Sequence, residues 1–175
     1  MNKVTKLDAA RRQIDAAITL HFDGHDPLVV HTLAMAGLQI VHDLCRQQGS
    51  QDFRDLMARI ESEISPKFWK EFRSVANFLK HADKDPDGEL NDMDGTVNDL
   101  ILVIAVQYYT NLGYSPTPEM ATISAFVRML QSEQLTHPVE DKVILMAFRT
   151  MDRASQLREG RESLKDLRAM GARYF

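Results

Sequence analysis

The chain has 175 residues, 44% of them hydrophobic and 26% charged, with a formal net charge of −4. That length supports one domain with a core of its own, and the acidic balance argues against a general nucleic-acid binder, which is usually basic. The single cysteine, Cys45, excludes an internal disulfide and points to a reducing compartment, so the expected location is cytoplasmic.

Apolar residues recur at three-and-four spacing almost throughout, the period of an amphipathic helix. Val4, Leu7, Ala10, Ile14, Ala17 and Ile18 predict a first helix over about 4–22. "DGHDP" ends it, and Asp26 with Pro27 is a cap followed by a first-position proline. The second helix carries Met35, Leu38, Val41 and Leu44 and stops near Gly49. Ser50 caps a short third helix, "QDFRDLMARIES", and Ser65-Pro66 opens a fourth that runs through "KFWKEFRSVANFLKHA". Thr96 with Asp99 reads as a capping box ahead of a strongly apolar fifth helix to about Asn111, the expected central element. Thr117-Pro118-Glu119 starts a sixth helix, "LTHP" (135–138) separates it from a seventh over 139–157, and 163–175 forms a short last helix.

No stretch alternates like a strand, and no repeat or interdomain linker stands out. The expected fold is therefore all-α, an antiparallel helical bundle of six to eight helices in one domain over 1–175. Its core spans roughly 4–156, with a short C-terminal helical appendage at 157–175. "LILVIAVQYY" is too short to cross a bilayer, and no membrane partner is expected.

Charge is unevenly spread. Asp83, Asp85, Asp87, Glu89, Asp92, Asp94 and Asp99 face a single base, Lys84, in one stretch, whereas Arg149, Arg153, Arg158, Arg161, Lys165, Arg168 and Arg173 dominate the C-terminal region. Both regions read as solvated surfaces, with attraction between them as the alternative.

The acidic stretch also matches part of an EF-hand template. Asp83, Asp85 and Asp87 take the first three ligand positions, Gly88 the sharp turn, Glu89 a carbonyl position and Asp94 the last. A Ca2+ or Mg2+ ion is the implied cofactor. Against it, Asp94 is shorter than the usual Glu, Pro86 restricts Asp85, and Gly95-Thr96 starts the next helix too late. A solvated loop rich in turn residues is the simpler reading. A transition-metal site drawn from His21, Asp23, His25, Asp26, His31, His42 and His81 is a further possibility, but no Glu-x-x-His signature accompanies it.

On the fourth helix Arg73, Asn77 and His81 fall at i, i+4 and i+8, joined by Lys80. Such a row beside an apolar face suits a phosphate or a reacting hydroxyl, and His titrates near neutrality. Its structural alternative is local pairing of Arg73 and Asn77, with His81 at the helix end where a cation suits the dipole.

The opening "AARRQIDAAITLHFDGHDPLVVHTLAMAGLQIVHDL" and the segment "RSVANFLKHA" resemble HEPN-type bundles, small all-helical prokaryotic domains that are often dimeric. "NFLKHADKDP" also resembles a segment of uncharacterised bacterial proteins. The resemblance covers residues 5–110. It implies a homodimer, and in active members a metal-independent ribonuclease built on an Arg and a His a few residues apart. Seven residues lie between Arg73 and His81, more than that pattern uses. The implied function is thus a non-catalytic or weakly catalytic protein that binds a partner, a nucleotide or RNA through Arg73, Asn77, Lys80 and His81. The alternatives are ion binding by the acidic loop, or a structural homodimer.

Overall fold

The first three helices begin where side chains can satisfy their orphan backbone donors. Thr5 Oγ1 accepts from the Asp8 amide at 3.0 Å, while Asp8 Oδ2 accepts from the Thr5 amide at 3.1 Å, closing a capping box at the start of α1 (Lys6–Phe22). Asp26 Oδ1 accepts from the Leu28 amide at 2.8 Å with Pro27 opening α2 (Pro27–Gln48), and Ser50 Oγ accepts from the Phe53 amide at 3.1 Å ahead of α3 (Gln51–Glu63). Each such cap stabilises its helix by about 1 kcal/mol. Gly49 ends α2 at φ 63°, a left-handed conformation that glycine adopts without steric cost.

The computed structural model describes residues 3–81, 83–131 and 139–174. After α3 come α4 (Pro66–Phe78), α5 (Thr96–Asn111), α6 (Pro118–Gln131), α7 (Val139–Thr150) and α8 (Arg153–Tyr174). Among the described residues the protein is mostly helical with no strand, an all-α bundle of eight helices. The separator expected at 135–138 lies outside the described residues.

Three boundaries depart from the sequence expectation. The fourth helix stops at Phe78, so His81 lies past its end in a chain of turns closed by Lys80 N–H to Asn77 C=O and Lys84 N–H to His81 C=O. The capping box at Thr96 and Asp99 does not form. Thr96 is already helical, its amide is taken by Asp94 Oδ1 at 2.9 Å, and Asp99 turns inward. The expected helix over 139–157 breaks after Thr150. Asp152 accepts from the Ser155 amide at 2.9 Å and from its hydroxyl at 2.8 Å, and this local bonding restarts the chain as the long α8.

Core formation follows the apolar periods. The most extensive packings are α1 on α2 and α2 on α5. Ile14, Ile18, Val30, Ala34, Val41, Ile101, Leu102 and Ala105 are buried between them. α5 buries residues around most of its girth, as its composition predicts, and is the central helix. Asn98, near the start of α5, bonds Pro27 at the start of α2, while Tyr108 near the end of α5 receives the Cys45 thiol near the end of α2. These two helices, remote in sequence, therefore run in the same direction. α3, α4 and the loop after them return the chain to the beginning of α2 before α5 starts. α2 is also long and apolar enough to cross a membrane by length and composition, but here its apolar side meets α1 and α5.

α8 is more polar and is held by charge as much as by packing. It buries Gln156, Gly160 and Leu164 against the bundle. Arg161 pairs with Asp23 at 3.0 Å, and Arg168 pairs with Glu119 at 2.8 Å and bonds Thr19 at 2.8 Å. Arg153, Arg161, Lys165 and Arg168 thus pair within the chain, and among the described residues Asp99 is the one acid of the 83–99 stretch that forms an ion pair with them, through Arg153.

Candidate functional site

The α4 sequence sorts its residues onto two faces. Phe72 and Ala76 are buried and Trp69 and Val75 half-buried, while Lys70, Arg73, Ser74 and Asn77 lie exposed at three-and-four spacing on the other side. α4 is anchored to α2 by His31, whose Nε2 lies 3.2 Å from the Phe72 carbonyl oxygen. A cavity of about 690 Å³ opens between α2, α3, α4 and α5. Met35 and Leu38 of α2, Met57 of α3, Ile64, Trp69 and Tyr108 form its apolar lining. Gln39, His42, Glu61, Lys70, Arg73, Ser74 and Asn77 supply the polar groups. A mostly apolar cleft of this size with a few convergent polar groups is the usual form of a small-molecule site.

The floor is rigidly built. Tyr108 meets the His42 ring at a tilt and the Phe53 ring edge-on, with centroids 5.6 and 5.7 Å away, and its hydroxyl donates to Met57 Sδ at 2.7 Å. Burial pushes the Tyr108 phenol up to about 12, so it stays protonated and acts as a donor. On the wall, Trp69 meets Phe72 edge-to-face at 6.0 Å. His42 Nδ1 lies 3.2 Å from Asp43 Oδ1, which fixes the ring at the cavity mouth.

Electrostatically the rim is cationic on its α4 side. Among the described residues neither Lys70 nor Arg73 forms an ion pair, whereas the cations of α8 at 153, 161, 165 and 168 all do. An unneutralised guanidinium and ammonium one helical turn apart attract an anion, and the guanidinium can hold a phosphate or carboxylate with two parallel bonds.

A second, smaller cavity of about 360 Å³ adjoins the first at Ser74 and Asn77. Phe78, His81, Lys84, Asp85, Glu89 and Leu90 complete it. The predicted polar row is thereby divided. Arg73 and Asn77 share the larger cavity, Asn77 and His81 share the smaller, and Lys80 is exposed and lines neither. His81 leaves the helix and comes within 3.8 Å of Asp83.

The loop carboxylates Asp83, Asp85, Asp87, Glu89 and Asp94 are all exposed. Asp94 is bonded to the start of α5, which holds its carboxyl below the usual value. Among the described residues no group of three or more His, Cys, Asp or Glu side chains is arranged to hold a metal ion. The histidines lie apart for specific reasons: His21 bonds Asp99, His31 sits between Asn98 and Phe72, and His42 faces Asp43.

The sequence does not single out Trp69, Lys70 or Ser74 as site residues, and it brings in His42 only as a possible metal ligand and Lys84 only as the one base of the acidic stretch. The signal was present for part of this, since 70, 73, 74 and 77 share one helix face beside Trp69. The contributions of α2, α3 and Tyr108 depend on tertiary packing. No family model matches the chain, and neither a curated protein nor a solved structure matches it.

Proposed function

We propose that this protein is a HEPN-like, non-catalytic or weakly catalytic binding protein, and that the cavity between α2 and α5 takes a nucleotide-like ligand, a planar ring carrying an anionic group. One observation carries this reading: Lys70 and Arg73, unpaired among the described residues, stand beside Trp69 at the mouth of a cavity of about 690 Å³. The ring stacks in the apolar cleft against Trp69, a contact type worth about 1–3 kcal/mol per base. The anion meets Arg73 and Lys70, with Asn77 and Ser74 as further donors. Efficient catalysis is not part of the reading, because the helix end separates His81 from Arg73 into different cavities.

Trp69 is the chain's one tryptophan, so its fluorescence reports this cavity alone. We expect uridine or adenosine 5′-monophosphate to change that emission saturably, and the uncharged nucleosides to bind more weakly. Arg73→Ala should weaken nucleotide binding about tenfold or more, the value of a charge-assisted hydrogen bond, with an unchanged melting temperature. No change in emission and no heat of binding up to millimolar nucleotide would sink the reading.

A further inference from the structure

We infer that the ligand is longer than a mononucleotide: two nucleosides joined by one phosphodiester, the second seated in the smaller cavity. This rests on the nucleotide reading above and extends it. The two cavities are neighbours along α4, since Ser74 and Asn77 line both. A ligand filling the first and continuing along α4 must pass these two side chains, which offer hydroxyl and amide donors. Arg73 stands on one side of that divide and Lys84 on the other. Lys84, like Arg73, has no ion-pair partner among the described residues. One phosphate at Ser74 and Asn77 is thus flanked by two cations.

The smaller cavity differs chemically from the larger. Phe78, 37% exposed, offers a ring face for a second base. Asp85 and Glu89 line the same space and oppose a further anion there. They favour a neutral nucleoside with hydrogen-bond donors. The site therefore selects an internal phosphodiester and disfavours a terminal phosphate at the distal end.

The test compares uridine 5′-monophosphate, the dinucleoside monophosphate UpU and its 3′-phosphorylated form, each titrated against Trp69 emission in the full chain. UpU should bind about tenfold tighter than the monophosphate, the gain expected from one added stacked base. The 3′-phosphorylated form should bind no tighter than UpU. Phe78→Ala should lower UpU affinity toward that of the monophosphate and leave the monophosphate unaffected, whereas Lys84→Ala, beside the shared phosphate, should weaken both. If the monophosphate binds but UpU binds no better, or if Phe78→Ala weakens both equally, the two-cavity ligand is wrong and the nucleotide reading survives. If the monophosphate does not bind at all, both fall.

Discussion

Arg153 Nη2 donates to Asp99 Oδ1 at 2.6 Å, joining the first residue of α8 to the first turn of α5. His21 Nε2 lies 2.7 Å from the same oxygen, and the Arg153 guanidinium stacks over the Phe126 ring at 5.2 Å. Asp99 is 7% exposed, so these neighbours replace most of its contact with water. Removing one partner of such a pair leaves the other ion buried and uncompensated. Arg153 keeps 30% of its side chain exposed, so Arg153→Met should cost the low end of the about 3–5 kcal/mol typical of a broken buried pair. Urea denaturation measures this. A loss below about 1 kcal/mol would place the bridge with ordinary surface pairs.

Two glycines of α8 should respond differently to the same substitution. A Cβ on Gly160 would press into the Phe22 ring, which is fully buried and cannot retreat. A Cβ on Gly171 would meet nothing within 4 Å. Alanine favours a helix interior over glycine by about 1 kcal/mol, but overpacking a filled core costs about 1–3 kcal/mol. Gly160→Ala should therefore lower the melting temperature, and Gly171→Ala should leave it unchanged or raise it. Equal effects at the two sites would mean that α8 does not approach α1 as closely as the structure places it.

Fold class was legible because the apolar period is local, and Asp26 and Ser50 bond within three residues of themselves. Thr96 and Asp99 have the spacing of a capping box, yet Asp99 is drawn inward by Arg153, 54 residues away. No window around Thr96 contains that partner. The break at Thr150 was missed because the pattern over 139–157 continues through Asp152, whose capping of Ser155 is compatible with a helix interior until tertiary packing redirects the chain. The candidate site was half visible for the same reason. Arg73 and Asn77 share a helix face by spacing alone, but the division of His81 from Arg73 depends on where α4 stops.

Cys45 is a test of the α2–α5 contact. Its side chain is fully buried, Sγ donates to the Tyr108 carbonyl oxygen at 3.3 Å, and burial pushes the thiol up to about 11. The thiolate is the reactive species, so almost none exists in the native state near neutral pH. A thiol-specific chromogenic reagent should label the native protein only as fast as it unfolds and label the urea-denatured chain at once. Rapid stoichiometric labelling of the native protein would show that the two helices separate there.

His31 anchors α4, and its surroundings set a pH dependence. It is fully buried, with Nδ1 3.3 Å from Asn98 Oδ1 and Nε2 3.2 Å from the Phe72 carbonyl oxygen. Asn98 Nδ2 donates to the Pro27 carbonyl oxygen at 3.0 Å, which turns its own oxygen toward the imidazole. Both neighbours of the ring are therefore acceptors, and a neutral imidazole has one N–H to give them. Burial nonetheless dominates and holds the His31 pKa below its ordinary 6.5, with the Lys80 charge adding to the lowering and the bonds to Phe72 and Asn98 opposing it. Above 6.5 the ring is neutral in both states and its full contribution to stability is present. As the pH falls below 6.5 the unfolded chain takes up the proton first, and stability is lost until the pH has passed through the lower folded value. The stability difference between wild type and His31→Gln should shrink on going from about pH 7.5 to about pH 5.5, followed by urea denaturation across that range. A difference that grows instead would mean that the imidazolium, donating to both oxygens, is the native form and that hydrogen bonding outweighs desolvation at this anchor.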